Sequence, residues 1–184
     1  MKTKIFFDTE FTGLHQKTTL ISIGLISECG KTFYGEFADY DKSQIDDWLR
    51  ENVLNKTKYL NGKVTHESNT GSLHYSHVGA TCTIASDLAD WFSQFGEVEM
   101  WSDCLSYDWV LFCQLWGHAF NIPKNICYIP FDICTMFRLY GIDPDISREQ
   151  FIGLKPSAEI THKHNSLWDA AIIEACYKKL LECC

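Results

Sequence analysis

Five residues in this sequence have the types and spacing to do chemistry. Asp8 and Glu10 stand two apart at the end of the apolar run Ile5-Phe6-Phe7. In a strand, side chains alternate between faces, so that spacing puts both carboxylates on one side, where a divalent cation could sit between them. The alternative is a polar turn that only ends the strand. Asp108 continues the apolar stripe of Leu111, Phe112 and Leu115, and Asp169 that of Ile173, Cys176 and Leu180, so each reads as an inward carboxylate at the start of a helix. An unpaired buried charge is costly, so such a group has a cationic partner, a cap role or a metal. The cap alternatives are concrete: Ser106 opens the first helix with Asp108 complementing its dipole, and Ser166-x-x-Asp169 is related to a capping box. His164 lies in the loop entering the last helix. With an ordinary pKa of ~6.5, its imidazole can accept a proton near neutrality. Together, the four carboxylates and the histidine suit metal-assisted hydrolysis better than a set of unrelated caps.

The elements that must position these groups are legible from periodicity. Residues 4–7, 19–27 and 32–37 read as strands joined by turns, the second at Cys29-Gly30-Lys31, which gives an antiparallel three-stranded meander. Ser43 is the expected cap of a helix over 43–54 carrying Ile45, Trp48, Leu49 and Val53. Residues 86–95 repeat that spacing with Leu88, Trp91, Phe92 and Phe95. Residues 61–83 are rich in Gly, Ser, Thr, Asn and His and read as a long irregular loop bordering the site. A strand at 98–101, a helix at 107–116 stopped by Gly117, a strand at 126–129, a helix at 131–140 ended by Gly141 and a helix at 166–181 follow. A meander followed by strand–helix alternation predicts an α/β fold, a mixed sheet with helices on both faces.

The chain has 184 residues, which suits one domain over 1–184. Its formal net charge of −8 disfavours holding a polyanion on a broad basic surface, yet is compatible with phosphodiester chemistry where carboxylates bind cations. Nine cysteines without C-x-x-C spacing, and no secretory or membrane-spanning run, point to reduced thiols in a cytoplasmic protein with no membrane partner.

Three segments then resemble a known superfamily. Phe7-Asp8-Thr9-Glu10-Phe11-Thr12-Gly13-Leu14, Tyr107-Asp108-Trp109-Val110-Leu111 and His164-Asn165-Ser166-Leu167-Trp168-Asp169-Ala170 are similar, in order and across the chain, to the motifs of the DEDDh 3′-5′ exonucleases. The flanking aromatics most resemble those of the small stand-alone exoribonucleases of bacteria and phages. The resemblance implies an RNase H-like fold and two Mg²⁺ or Mn²⁺ ions held by Asp8, Glu10, Asp108 and Asp169, with His164 deprotonating the attacking water. It also implies release of nucleoside 5′-monophosphates from single-stranded RNA or 3′ overhangs, and a homodimer of the kind some relatives form. A DNA exonuclease and a catalytically silent binding module are the alternatives. One departure is Asp103-Cys104, where many relatives carry His-Asn; Asp103 is thereby a rival ligand to Asp108, or the polar end of its strand.

Phe11, Leu14 and Trp109 flank the acidic motifs and are expected to stack on a terminal base. Trp48, Trp91 and Phe95 are expected in the core. His66, His74 and His77 lack the further ligands a zinc site needs, and Asp132 is expected to cap a helix.

Overall fold

The computed structural model describes residues 2–62, 69–70, 73–154 and 162–182. The opening strands form as expected: β1 (Thr3–Phe11), β2 (Leu20–Ser27) and β3 (Thr32–Phe37) pair antiparallel in sequence. The histidine-rich stretch corrects the expectation of an irregular loop over 61–83. It holds β4 (Asn69–Thr70) and β5 (His74–Gly79), and β5 pairs parallel with β3 along six residues, from Thr32↔His74 to Phe37↔Gly79. The polar side chains that disguised it belong to a strand near the sheet edge, where polar residues are tolerated. His66 and the rest of residues 63–68 and 71–72 lie outside the described residues. With β6 (Val98–Ser102) parallel to β1, and β7 (Phe131–Asp132) parallel to β6, the sheet runs β4-β5-β3-β2-β1-β6-β7. The expected strand at 126–129 reduces to one bridge, Val98↔Ile126, and the strand proper lies just beyond Pro130.

Helices cover both faces. α2 (Thr81–Ser93) and α3 (Asp108–Gln114) pack on the side to which β1 turns Ile5 and Phe7. α4 (Ile133–Leu139), α5 (Arg148–Ile152) and α6 (Ser166–Glu182) pack on the side of Phe6. Ile5, Phe6 and Phe7 are at most 1% exposed, and full burial of such side chains stabilises by ~1.5–3 kcal/mol each. Alternation from Phe6 then puts Asp8 and Glu10 on the α6 side. β1 is anchored on both faces before it delivers the carboxylates.

Several boundaries moved for local reasons. α1 spans only Asp47–Asn52, because Asp46 rather than Ser43 accepts the amide of Leu49 (2.8 Å), while Ser43 sits in a 3₁₀ turn at Lys42–Gln44. No side chain caps α3, so Ser106 does not have the capping role. Asn165 caps α6 by accepting from Trp168 N–H (3.2 Å), and Ser166 instead faces Ser22 of β2, hydroxyl to hydroxyl at 3.0 Å. Asp132 caps α4 by accepting from Cys134 N–H (2.6 Å).

α6 approaches the sheet closely because β2 is small at the crossing. In the antiparallel register Asp8 stands opposite Gly24, and Gly24 opposite Tyr34. A Cβ on Gly24 would lie 2.2 Å from the Leu167 backbone nitrogen and 2.3 Å from the Ser166 carbonyl carbon. Gly24→Ala must therefore lift the first turn of α6, which carries Asp169. We expect a loss of at least ~1–3 kcal/mol in chemical denaturation, the usual cost of overpacking, and a larger loss of activity per folded molecule. Wild-type stability in that variant would show that the crossing is loose.

Candidate active site

The acidic groups meet in a cleft of about 690 Å³ across the ends of β1 and β6 and the starts of α3 and α6. Asp8, Glu10 and Asp169 each offer a carboxylate oxygen, and the three oxygens lie within 4.8 Å of one another. Hard oxygen donors gathered this closely fit a divalent cation. Asp108 lines the same cleft, but its Oδ1 accepts from Thr9 N–H (3.0 Å) and Thr9 Oγ1–H (2.5 Å), and it stands outside the three-carboxylate group. These bonds tie the start of α3 to β1 between the two strand carboxylates.

The electrostatics are those of crowded like charges in a partly buried cleft. Burial, then Asp108, Asp169 and Glu10, hold the Asp8 carboxyl well above the usual range. Burial, then Asp169 and Asp108, do the same to Glu10. Burial pushes Asp169 up to about 7 against the opposing hydrogen bond from His164 N–H. Asp108 reaches about 6, less because the Thr9 bonds favour its charged form. A bound cation would reverse these shifts.

His164 lies beside the carboxylates, Nδ1 3.8 Å from Glu10 Oε1. Burial, aided by Lys163 and Lys56, depresses its pKa below the usual imidazole value, which keeps the ring neutral and able to accept a proton. Its backbone is left-handed, φ +67°, and the other positive-φ residue besides glycine among the described residues is Cys104, also on the cleft. Such backbone costs an L-residue roughly 1–2 kcal/mol and persists only when surroundings enforce it. Here the His164 N–H donates to Asp169 Oδ2 (2.9 Å).

Asp103 is already engaged. Its Oδ2 accepts from Arg148 Nε (2.8 Å), and the same guanidinium bonds the carbonyls of Pro144 and Ile146 and the Cys134 sulfur. Arg148 thus spends four of its five N–H donors on the protein while lining the cleft. Neither Arg148 nor α5 is among the elements expected from periodicity, although Ser147-x-x-Gln150 has the capping-box form and Ser147 Oγ does accept from Gln150 N–H.

The expected stacking residues divide. Phe11 lines the cleft, stacked on Tyr107 (5.5 Å, 22°), and Leu14 lines it at 76% exposure. Trp109 does not: it stacks on Phe112 (5.2 Å, 16°) against Phe7 and borders a separate shallow groove, because its place on α3 turns it into the layer behind β1. Trp48 corrects the reading in the other direction. On α1, where Leu49 takes the buried position, the Trp48 indole is 52% exposed, lines the cleft and meets the His164 ring edge-on at 5.2 Å. Trp91 is buried as expected, with Phe95 packed against it. His74 and His77 lie away from the cleft, His77 paired with Asp87 (2.6 Å).

Comparison with known proteins agrees with this geometry. The family described as 3′-5′ exoribonuclease Rv2179c-like domain matches residues 3–181. Two Mycobacterium tuberculosis proteins named 3′-5′ exoribonuclease, Rv2179c and its counterpart in a second strain, are 27% identical over 125 residues, 67% of this chain and of each relative. The RNase domain of the yeast Pop2 protein superposes with a TM-score of 0.55 at 13% identity, covering 98% of this chain and 77% of that one, which bears out the expected RNase H-like architecture. By the span of the family match, with the acidic motifs inside it, this chain belongs to the Rv2179c-like 3′-5′ exoribonuclease domain family.

Proposed function

We propose that the chain removes nucleotides one at a time from the 3′ end of single-stranded RNA or a 3′ overhang, releasing nucleoside 5′-monophosphates. The observation that carries this is the convergence of the Asp8, Glu10 and Asp169 oxygens within 4.8 Å beside a neutral-leaning His164. Asp8, Glu10 and Asp169 are the residues to hold Mg²⁺ or Mn²⁺, with Asp108 available to a second ion. Two such ions supply Lewis-acid activation and charge neutralisation at the scissile phosphate. His164 takes the proton of the attacking water at an imidazole nitrogen, and its desolvation keeps that nitrogen free near neutral pH. Asp169 orients it through the His164 N–H.

Terminal bases have aromatic and apolar side chains to rest on. Trp48 stands on one wall of the cleft, and Phe11 with Leu14 on another. Stacking tolerates any base, which suits a nuclease without sequence preference. The cleft is otherwise acidic, so affinity comes more from stacking and metal than from phosphate contacts. Trp48→Ala is expected to raise KM for short oligoribonucleotides by roughly 5- to 100-fold, the equivalent of one lost base stack, with kcat changed less. Steady-state kinetics on a 5′-labelled pentamer checks this, and an unchanged KM removes Trp48 from the substrate path. No helix among the described residues is long and apolar enough to cross a membrane.

The reading is tested by incubating the protein with 5′-labelled RNA and its duplexed form in Mn²⁺. Stepwise shortening of the single strand, stalling at duplex, supports it, whereas internal cuts contradict it.

A further inference from the structure

We propose that Tyr34 and Asn165 are positioning residues that hold the His164 peptide in its left-handed conformation and so set the imidazole beside the Asp8, Glu10 and Asp169 carboxylates. The inference rests on the reading of His164 as proton acceptor.

Asn165 binds in more directions than a helix cap requires. Its Oδ1 accepts from Trp168 N–H, which completes the cap, and its backbone carbonyl accepts from Asp169 N–H (2.9 Å). Its side-chain Nδ2 then donates to two distant parts of the chain, the Lys56 carbonyl (3.0 Å) and the Tyr34 hydroxyl (3.4 Å). Serine or aspartate would cap about as well. Only the amide supplies both the cap acceptor and the two donors, so the residue type reflects the far contacts.

Those contacts are themselves fixed. Tyr34 is 3% exposed on β3, in the row that runs Asp8–Gly24–Tyr34 across the sheet, and its phenol lies against Glu36 and Ser22. Glu36, fully buried in the next row, accepts from the backbone amides of Lys58 (2.5 Å), Tyr59 (3.0 Å) and Leu60 (2.7 Å). The segment that offers the Lys56 carbonyl is therefore pinned to β3 two residues later. The strained peptide of His164 is followed at once by a side chain tied to β3 and to the 56–60 segment, and its own N–H is tied to α6. A backbone over-determined from three sides is how a costly conformation is maintained.

The test is a set of double-mutant cycles. Tyr34→Phe removes the hydroxyl alone, and Asn165→Ser keeps a cap while losing the donors. Each is made in wild-type and His164→Ala backgrounds, and kcat and KM on a 5′-labelled oligoribonucleotide at saturating Mn²⁺ are read with Mn²⁺ affinity by calorimetry and melting temperature. The expected result is a fall in kcat on the order of 10-fold or more in the wild-type background, as for a misplaced catalytic group. KM and Mn²⁺ affinity should stay within ~2-fold, and the fall in kcat should shrink to within ~2-fold in His164→Ala, because residues acting through one another are not additive. An equal fractional loss in both backgrounds, a loss confined to KM or to metal binding, or an unchanged kcat overturns the proposal. His164→Ala alone reports separately on the proton-acceptor reading, since a wild-type rate there would remove that role whatever Tyr34 does.

Discussion

Asp8→Asn is expected to bring turnover down to background and, without metal, to raise the melting temperature. Asp8 lies at the centre of the repulsion: half-buried and desolvated, with Asp108, Asp169, Glu10 and Asp103 each pushing its carboxyl further up. The amide keeps the shape and removes the charge, so the apo site relaxes while a divalent ion loses a ligand. The pH dependence has a definite sign. These carboxyls have folded-state pKa values above their unfolded ones, with Asp108 at about 6 and Asp169 at about 7. Their stabilising contribution is complete below the unfolded values near 4 and is lost as pH rises through about 6 to about 7. In EDTA the wild type should therefore lose stability between acid and mildly alkaline pH, and Asp8→Asn should flatten that loss. Each kcal/mol of relieved repulsion raises the melting temperature by about 2–4 °C in a chain of this length. Mn²⁺ should stabilise the wild type at high pH and the variant far less. A variant that melts no higher than wild type in EDTA at pH 8 would mean the carboxylates are not crowded as described. Asp108→Ala should also be inactive, whereas Asp103→Ala should chiefly cost stability by leaving Arg148 without its carboxylate. The reverse pattern would make Asp103 the ligand.

His164→Ala is expected to lose a factor on the order of 10²–10⁴ in kcat, the usual contribution of a general base, with Mn²⁺ affinity nearly unchanged. At saturating Mn²⁺ the wild-type rate should rise with pH through a value below the ordinary imidazole 6.5, because burial and the Lys163 and Lys56 charges disfavour the protonated ring. That limb should vanish in the variant. At low Mn²⁺ a second limb should enter nearer 7, where protons compete with metal for the carboxylates. If His164 serves only its loop, the variant would lose melting temperature, keep most of its rate and retain the first limb.

The site was more legible in the sequence than its surroundings. Asp8 and Glu10 were placed by strand alternation, and Asp169 by a helical stripe, because both periods are set by backbone geometry that tertiary context does not alter. What the periods could not show is where helices begin. Ser43 and Asp46 both have the chemistry of a cap, and Trp48 and Leu49 both fit an apolar stripe, but the helix starts after Asp46 and buries Leu49 while Trp48 is exposed on the cleft. Trp109 was misplaced for a similar reason: adjacency in sequence to Asp108 does not put two helical side chains on one face. β5 was hidden because near an edge a strand needs no apolar face, and its evidence lay in pairing with β3, a long-range fact. The Asp103–Arg148 bond and the Asn165 contacts with Tyr34 and Lys56 join residues 45 to 131 apart, beyond any local pattern.

The most direct test compares matched RNA and DNA oligomers labelled at the 5′ or the 3′ end, each incubated with Mn²⁺ or EDTA. With Mn²⁺, 5′-labelled RNA is expected to yield a ladder shortening by single nucleotides and 3′-labelled RNA to release a labelled 5′-monophosphate from the first time point. DNA should be processed more slowly, and nothing should be cleaved in EDTA. Undiminished cleavage in EDTA, or internal fragments from both labels at early times, would contradict it.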